Sequence, residues 1–331
     1  MSDPRVAILD CNFPNIEVER AVLAEIGLSP ALYQCRTEDE VIAAAGDADG
    51  VIVQYAPVTA RVLGELTRCS VIVRYGIGVD NVDVGASTAN GIWVCNIPGF
   101  CTPEVSDHVM ALVLSWARRL PALDALVRSG SWMPMDVMRK TARISTQTLG
   151  LVGFGNIARA VSKKAQAFGL RVIATAPRTT AETMAAFGAS KVPFGKLVVE
   201  SDYLVLLCPL TDDTLNLIDG QVLQSMKPSA LLVNVSRGGL IDEQALIGAL
   251  DDGQIGGVAL DVFSQEPLPM DSPLLTMKNV TLSPHISYYS DDALADLQRL
   301  AAGEVARVLS GGRPRNALNP EVTPTNWRPA G

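Results

Sequence analysis

Histidine is scarce in this chain of 331 residues, which carries only His108 and His285. Two imidazoles argue against a histidine-based metal centre, and no metal is expected. The six cysteines, Cys11, Cys35, Cys69, Cys95, Cys101 and Cys208, form no C-x-x-C pair. In a chain this long they read as reduced, mostly buried thiols and not as a disulfide framework. There is no basic surplus either. A formal net charge of −8 and a pI near 4.9 leave nothing to neutralise phosphates, which excludes nucleic acid as an expected partner. No apolar run is long enough to span a bilayer, so no membrane association is expected. The opening MSDPRVAILDCNFP lacks a basic flank and the extended apolar stretch of a signal peptide, and the expected location is the cytoplasm. No internal repeat or low-complexity tract is visible.

What is present is material for a large core. Hydrophobic residues make up 48% and charged residues 19%, with a mean hydropathy of +0.23. The length suits two compact domains or one large one. Short β-branched runs alternate with helical patterns: strands at 6–10, 51–54, 71–74 and 92–94, and helices near 16–26 and after Thr59. Thr37 and Glu40 have capping-box spacing for a further short helix. Apolar strands without polar alternation, separated by helices, require a parallel sheet covered on both faces. A longer helix, 103–120, has Pro103 in its first turn, where a missing amide costs nothing. Residues 129–146 read as irregular. A second alternating series starts at Leu149, with strands at 149–152, 171–175, 203–208, 230–235, 256–260 and 280–283. Helices are expected at 157–168, 221–226, 243–252 and 291–309, ahead of an extended tail frayed at its end.

Gly153-Phe154-Gly155-Asn156-Ile157-Ala158 is a G-x-G-x-x-A turn between the strand TLGLV and a helix marked by Ile157, Val161, Ala165 and Phe168. That is the βαβ setting of a dinucleotide site. Gly153 permits the tight turn, Gly155 lets a pyrophosphate approach the backbone, and Ala158 lets helix and strand pack closely. The phosphates would sit on the free amides near Asn156 and Ile157. At the end of the next strand an NAD site usually carries an acid for the ribose hydroxyls. Here Ala176 stands in that place, followed by Pro177, Arg178, Thr179 and Thr180. Without the repelling carboxylate, Arg178 suits a 2′-phosphate, so NADP is the preferred cofactor and NAD stays possible.

Three later segments each follow a strand and so reach the carboxyl edge of the sheet, where open α/β folds bind ligands. They are Asn234-Val235-Ser236-Arg237-Gly238-Gly239, Leu260-Asp261-Val262-Phe263-Ser264-Gln265-Glu266-Pro267, and Ser283-Pro284-His285-Ile286-Ser287. An arginine can fork onto a carboxylate, a histidine can protonate a developing alkoxide, and a carboxylate beside that histidine favours its charged form.

With these segments, with Arg74-Tyr75-Gly76-Ile77-Gly78-Val79-Asp80-Asn81-Val82-Asp83, and with Val94–Pro98 and Cys208–Thr211, the chain resembles the D-isomer-specific 2-hydroxyacid dehydrogenases over nearly its whole length. The resemblance implies that Arg237 binds substrate, that His285 is the acid/base and that Glu266 is its partner. Asp261 would meet the nicotinamide amide, while Cys208, Pro209, Thr214, Val235 and Ser236 would line the cofactor. Backbone at Ile77 and Gly78 would meet the substrate carboxylate. The segment after His285 is similar to the C-terminal-binding-protein branch, with Tyr288 where animal members carry a pocket-lining Trp.

The family further implies two doubly wound α/β domains with the chain crossing twice. They would be a flavodoxin-like substrate domain (1–102 plus 291–331) and a Rossmann NAD(P)-binding domain (103–290), in a homodimer formed largely through the latter. The expected activity is NAD(P)-dependent interconversion of a small 2-keto and 2-hydroxy acid, with glyoxylate, hydroxypyruvate or a larger keto acid as candidates. A cofactor-sensing scaffold with little turnover is the alternative. His108, inside a helix next to Asp107, matches no family catalytic position and is expected to be structural or interfacial. Tyr55, Trp132 and Met135 read as packing.

Overall fold

The computed structural model describes residues 4–138 and 141–329. The chain divides into two compact units, Met1–Phe100 with Ser290–Gly331, and Cys101–Tyr289. The first unit is built on five parallel strands, Val6–Ile8 (β1), Ala31–Leu32 (β2), Gly50–Val53 (β3), Val71–Arg74 (β4) and Trp93–Cys95 (β5), in the order β2-β1-β3-β4-β5. This is the flavodoxin-like order. Every residue of β1, β3 and β5 is buried, which explains why none alternates polar with apolar. The helix Asp291–Leu309 returns to this unit and buries Leu297, Ala301, Ala302, Val305 and Val308 in the same cluster as Ile8, Ile52 and Val73. The capping box forms: the Thr37 hydroxyl accepts from the Glu40 amide while the Glu40 carboxylate accepts from the Thr37 amide.

The second unit carries seven parallel strands, Thr148–Val152 (β6), Arg171–Thr175 (β7), Ala189–Lys191 (β8), Tyr203–Leu206 (β9), Leu231–Asn234 (β10), Gly257–Leu260 (β11) and Val280–Leu282 (β12). Their order, β12-β11-β10-β9-β6-β7-β8, is the Rossmann order extended by one strand at the β12 edge. The fold is α/β with two doubly wound parallel sheets, as the alternating apolar runs require.

Several local expectations change. The helix expected at 103–120 ends at Ala117; Arg119 turns left-handed (φ 54°) and a new helix runs Leu120–Arg128. Pro121 is the reason, because inside a continuous helix it would have no amide to donate and would crowd the carbonyl four residues back. Within 129–146, short helical turns occupy Met135–Met138 and Ile144–Thr146, while residues 139 and 140 lie outside the described residues. The strands β2 and β8 and the helix Val84–Ala89 were not expected, being two, three and six residues long. Parts of the tail are docked, and its last residues, 330 and 331, where fraying is expected, lie outside the described residues. Asn319 accepts from the Val94 amide at 2.9 Å, and Trp327 meets Trp93 edge-on at 5.2 Å. Covering the buried indole of Trp93 gives the tail a hydrophobic reason to dock. Among the described residues no helix is long and apolar enough to cross a membrane.

One buried polar contact ties the first unit together. Glu19, with no exposed surface, accepts from Gln298 Nε2 at 2.9 Å and from the Tyr75 hydroxyl at 2.5 Å. It thereby joins the helices Glu17–Ala24 and Asp291–Leu309 to the end of β4. Replacing Gln298 with Met strips a donor from a buried carboxylate. The expected loss is about 2–3 kcal/mol of stability, read from urea unfolding, whereas the same change at exposed Gln254 should cost about 0.5 kcal/mol or less.

Candidate active site

The strand-to-helix turn after β6 needs both of its glycines, for different reasons. Gly153 has φ +96°, and a Cβ there would lie 2.6 Å from the Leu207 carbonyl oxygen. Gly155 is the N-cap of the helix Asn156–Ala167, with no side-chain cap, and a Cβ there would meet nothing within 4 Å. The space above Gly155 is open, and the first-turn amides of Asn156, Ile157 and Ala158 lack helical acceptors. These features fit a diphosphate. Beyond β7, Ala176 is buried and Arg178 exposed, and the Thr179 carbonyl accepts from Lys191 Nζ at 2.6 Å. The first carboxylate, Glu182, lies in the helix Ala181–Ala185, which Thr180 caps. Burial pushes the Cys208 thiol up, so it is not an activated nucleophile. The Thr214 hydroxyl donates to the Pro209 carbonyl at 2.8 Å, and Ser236 Oγ donates to the Cys208 carbonyl at 2.5 Å, tying the loops after β9 and β10. Val235, which precedes Ser236 in the loop after β10, is buried.

Asn234, buried at the end of β10, shapes the arginine loop. Its amide donates to the Arg237 carbonyl at 2.8 Å, and its oxygen accepts from the Ser236 amide at 3.1 Å. Next along the chain, any Cβ on Gly238 would collide with the Phe263 carbonyl, so the loops after β10 and β11 touch through bare backbone. That approach places Arg237 where its charge acts on Glu266. Glu266 Oε1 accepts from the Phe263 amide at 3.0 Å, and Oε2 lies 2.7 Å from His285 Nδ1. Partial burial raises the Glu266 carboxyl. The hydrogen bonds from His285 and Phe263, with the charges of His285 and Arg237, outweigh it and hold the group below the ordinary range. A carboxylate can only accept, so His285 Nδ1 carries a hydrogen and Nε2 is the atom left for proton transfer. Both side chains keep about a third of their surface, 32% for His285 and 37% for Glu266. Arg237, Glu266 and His285 are thus brought together, and Tyr288 stands edge-on to the His285 ring at 6.4 Å.

In the other unit, Gly76 has φ +137°, and the Ile77 carbonyl accepts from Asn96 Nδ2 at 2.7 Å. The Ile77-Gly78 loop is therefore shaped by a glycine and an asparagine, and Ile77 is exposed. Among the described residues no group of His, Cys, Asp and Glu could hold a metal ion.

Asp261 follows directly on β11, at the head of the loop that carries Glu266. It has no exposed surface. Its Oδ1 accepts from Ser283 Oγ at 2.6 Å and from the Ile286 amide at 3.0 Å, and its Oδ2 from the Ser287 amide at 3.0 Å. Its carbonyl accepts from the His285 amide at 2.7 Å. His285 itself is left-handed (φ 51°) and not a glycine. Sequence reading missed Asn234 and Ser283 as loop anchors; each was visible only as a polar residue at a strand's end. Desolvation raises the Asp261 carboxyl, but the Ser283 and Ser287 donors and the two amides bring it below the ordinary range. A carboxylate depressed in the folded state stabilises above its unfolded pKa, and that contribution is lost as pH falls through the folded pKa. Wild-type melting temperature should therefore drop between about pH 5 and 3, and the Asp261→Asn variant should start lower and lose less over that window.

Residues 110–287 match the family model described as D-isomer specific 2-hydroxyacid dehydrogenase, NAD binding domain. A glyoxylate reductase of Korarchaeum cryptofilum is 37% identical over 80% of this chain and 81% of its own length. A glyoxylate/hydroxypyruvate reductase B of Yersinia pestis is 35% identical over 87% of this chain and 89% of its own. The solved acyclic imino acid reductase Bsp5, in complex with NADPH and D-Arg, superposes with a TM-score of 0.86 at 26% identity, covering 95% of this chain and 99% of that one. With its two wound sheets and its glycine turn, the chain belongs to the D-isomer-specific 2-hydroxyacid dehydrogenases, oxidoreductases that act on 2-hydroxy acids with a nicotinamide cofactor.

Proposed function

We propose that the protein reduces a small 2-keto acid such as glyoxylate or hydroxypyruvate, with NADPH preferred over NADH. The observation that carries this reading is the Glu266–His285 pair at 2.7 Å, with the charge of Arg237 acting on the same carboxylate. When bound, the cofactor supplies the hydride. Arg237 forks onto the substrate carboxylate and polarises the neighbouring carbonyl. His285, oriented through Nδ1 by Glu266, delivers a proton from Nε2 to the developing alkoxide. Glu266 stabilises the imidazolium before that transfer and keeps the ring in place afterwards. Tyr288 bounds the pocket beside His285. In the first unit, the exposed loop at Ile77 and Gly78, held by Asn96, is shaped to offer its backbone amides to an anion.

For the cofactor, Gly153, Gly155, Asn156 and Ile157 take the diphosphate. Val235, Ser236 and the Cys208–Thr214 loop line its path, and buried Asp261 acts at the nicotinamide end only by holding the loop of His285. Arg178 and Thr179 take the 2′-phosphate, which the absence of an acid at Ala176 leaves unopposed. The names of the similar reductases support glyoxylate and hydroxypyruvate as first substrates to try. A homodimer is proposed as well, because Leu120, Val127, Trp132 and Met133 of the second unit expose large apolar side chains close together in sequence.

The direct test follows absorbance at 340 nm for NADPH and NADH against a panel of 2-keto acids. Turnover with NADPH is expected, with kcat lowered about 10²–10⁴-fold in His285→Ala. Tight cofactor binding without turnover would instead favour a sensing scaffold. Arg178→Ala should raise KM for NADPH roughly 10- to 100-fold and leave that for NADH nearly unchanged; an equal effect on both would remove Arg178 from phosphate recognition. Light scattering should give twice the mass of the 35.1 kDa chain, and Trp132→Asp should shift it toward that single-chain value.

A further inference from the structure

We infer that His108 is a positioning residue for this reaction, acting through Ser283 and Asp261 on the loop that carries His285; the inference rests on the reductase reading above. His108 lies in the helix Thr102–Ala117 and keeps a quarter of its side-chain surface, at 25%. Its Nε2 is 3.1 Å from Ser283 Oγ and 4.0 Å from Asp261 Oδ1. Ser283 has one hydroxyl proton, and the carboxylate oxygen 2.6 Å away can only accept it. The hydroxyl is then an acceptor toward His108, whose Nε2 must carry a hydrogen. The result is a directed chain, from imidazole N–H to hydroxyl to carboxylate, in which each donor polarises the next.

What this chain fixes is the orientation of Asp261. The carboxylate that takes the Ser283 proton also holds the amides of Ile286 and Ser287, on the two residues after the left-handed His285. A rotation of the Ser283 hydroxyl would leave Oδ1 short of a donor and loosen the loop that sets where His285 Nε2 stands. Packing alone does not call for an imidazole at position 108. The buried positions of the same helix are Val105, Ser106, Val109, Met110, Leu112, Val113 and Ala117, almost all apolar. Neither does the neighbouring acid: Asp107 is paired with Lys164 at 2.7 Å.

The test compares His108→Ala, His108→Gln, Ser283→Ala and the His108→Ala/Ser283→Ala double variant in steady-state turnover. Displacing His285 by a fraction of an ångström should lower kcat about 10- to 100-fold with KM for the keto acid little changed. In His108→Gln the side-chain amide can still donate to Ser283, and that variant should restore most of the rate. The double variant should be no slower than the slower single one, because both break one chain. Unchanged kcat in a folded His108→Ala protein, failure of His108→Gln to rescue, or multiplicative losses in the double variant would overturn the inference. With only two histidines in the chain, imidazole ¹⁵N spectra give a second readout. The His108 Nε2–H tautomer should be present in the wild type, and the His285 resonances should move in His108→Ala and Ser283→Ala but return in His108→Gln. If the wild type turns over no keto acid, the reductase reading fails by itself. These spectra then decide the relay, and unmoved His285 resonances would sink it.

Discussion

A residue with a side chain held at φ 51°, as His285 is, gives up about 1–2 kcal/mol relative to an ordinary backbone conformation. It stays there because Asp261 takes hold of the chain on every side of it. The Asp261 carbonyl accepts from the His285 amide, and its carboxylate accepts from Ser283 before it and from Ile286 and Ser287 after it. A fully buried carboxylate is itself costly, and it is tolerated only when its lone pairs are taken. The two unfavourable features therefore support one another. Buried charge needs donors, and the twisted loop turns its amides toward that charge.

The sheet brings this loop to the others. Asn234 ends β10 opposite Leu260 of β11, and Leu260 lies opposite Leu282 of β12, so three neighbouring strands stop at one level. The segments that follow them carry Arg237, then Asp261 and Glu266, then His285. Parallel pairing is what makes this possible, because it sends every carboxyl end to the same edge. The close passage at Gly238, where no Cβ fits, lets the arginine loop approach the loop of Glu266 without a side chain between them.

Much of this was legible in the sequence because it depends on short-range rules. Unalternating apolar runs such as LLVN at 231–234 announce strands buried on both faces, and the G-x-G-x-x-A spacing announces the turn after β6. What sequence could not supply were relations between distant residues. The docking of Trp327 onto Trp93 and of Asn319 onto Val94 spans more than two hundred residues, so a tail rich in Pro and Asn reads as loose. The break at Arg119 was local and still missed, because the apolar period runs through it and only Pro121 speaks against continuation. His108 is the sharpest case. Its partner Ser283 is 175 positions away, and nothing near it in the chain distinguishes a relay from a surface imidazole.

The two carboxylates of the β11 loop show how five residues of separation produce two different tasks. Both are held below their ordinary range by hydrogen bonds that outweigh desolvation. The donors differ in kind. Those on Asp261 are serine hydroxyls and backbone amides, which do not change charge over any working pH, and no water reaches it. Its charge is therefore constant and can serve only to hold geometry. Of the donors on Glu266, one is the fixed amide of Phe263 and the other is an imidazole that can gain and lose a proton. Glu266 also keeps 37% of its side-chain surface, so solvent and substrate can reach the pair. Only a carboxylate coupled to a titrating partner can stabilise one protonation state of that partner over another. The environment, more than the residue type, makes Asp261 the frame and Glu266 the part that responds when His285 changes its charge.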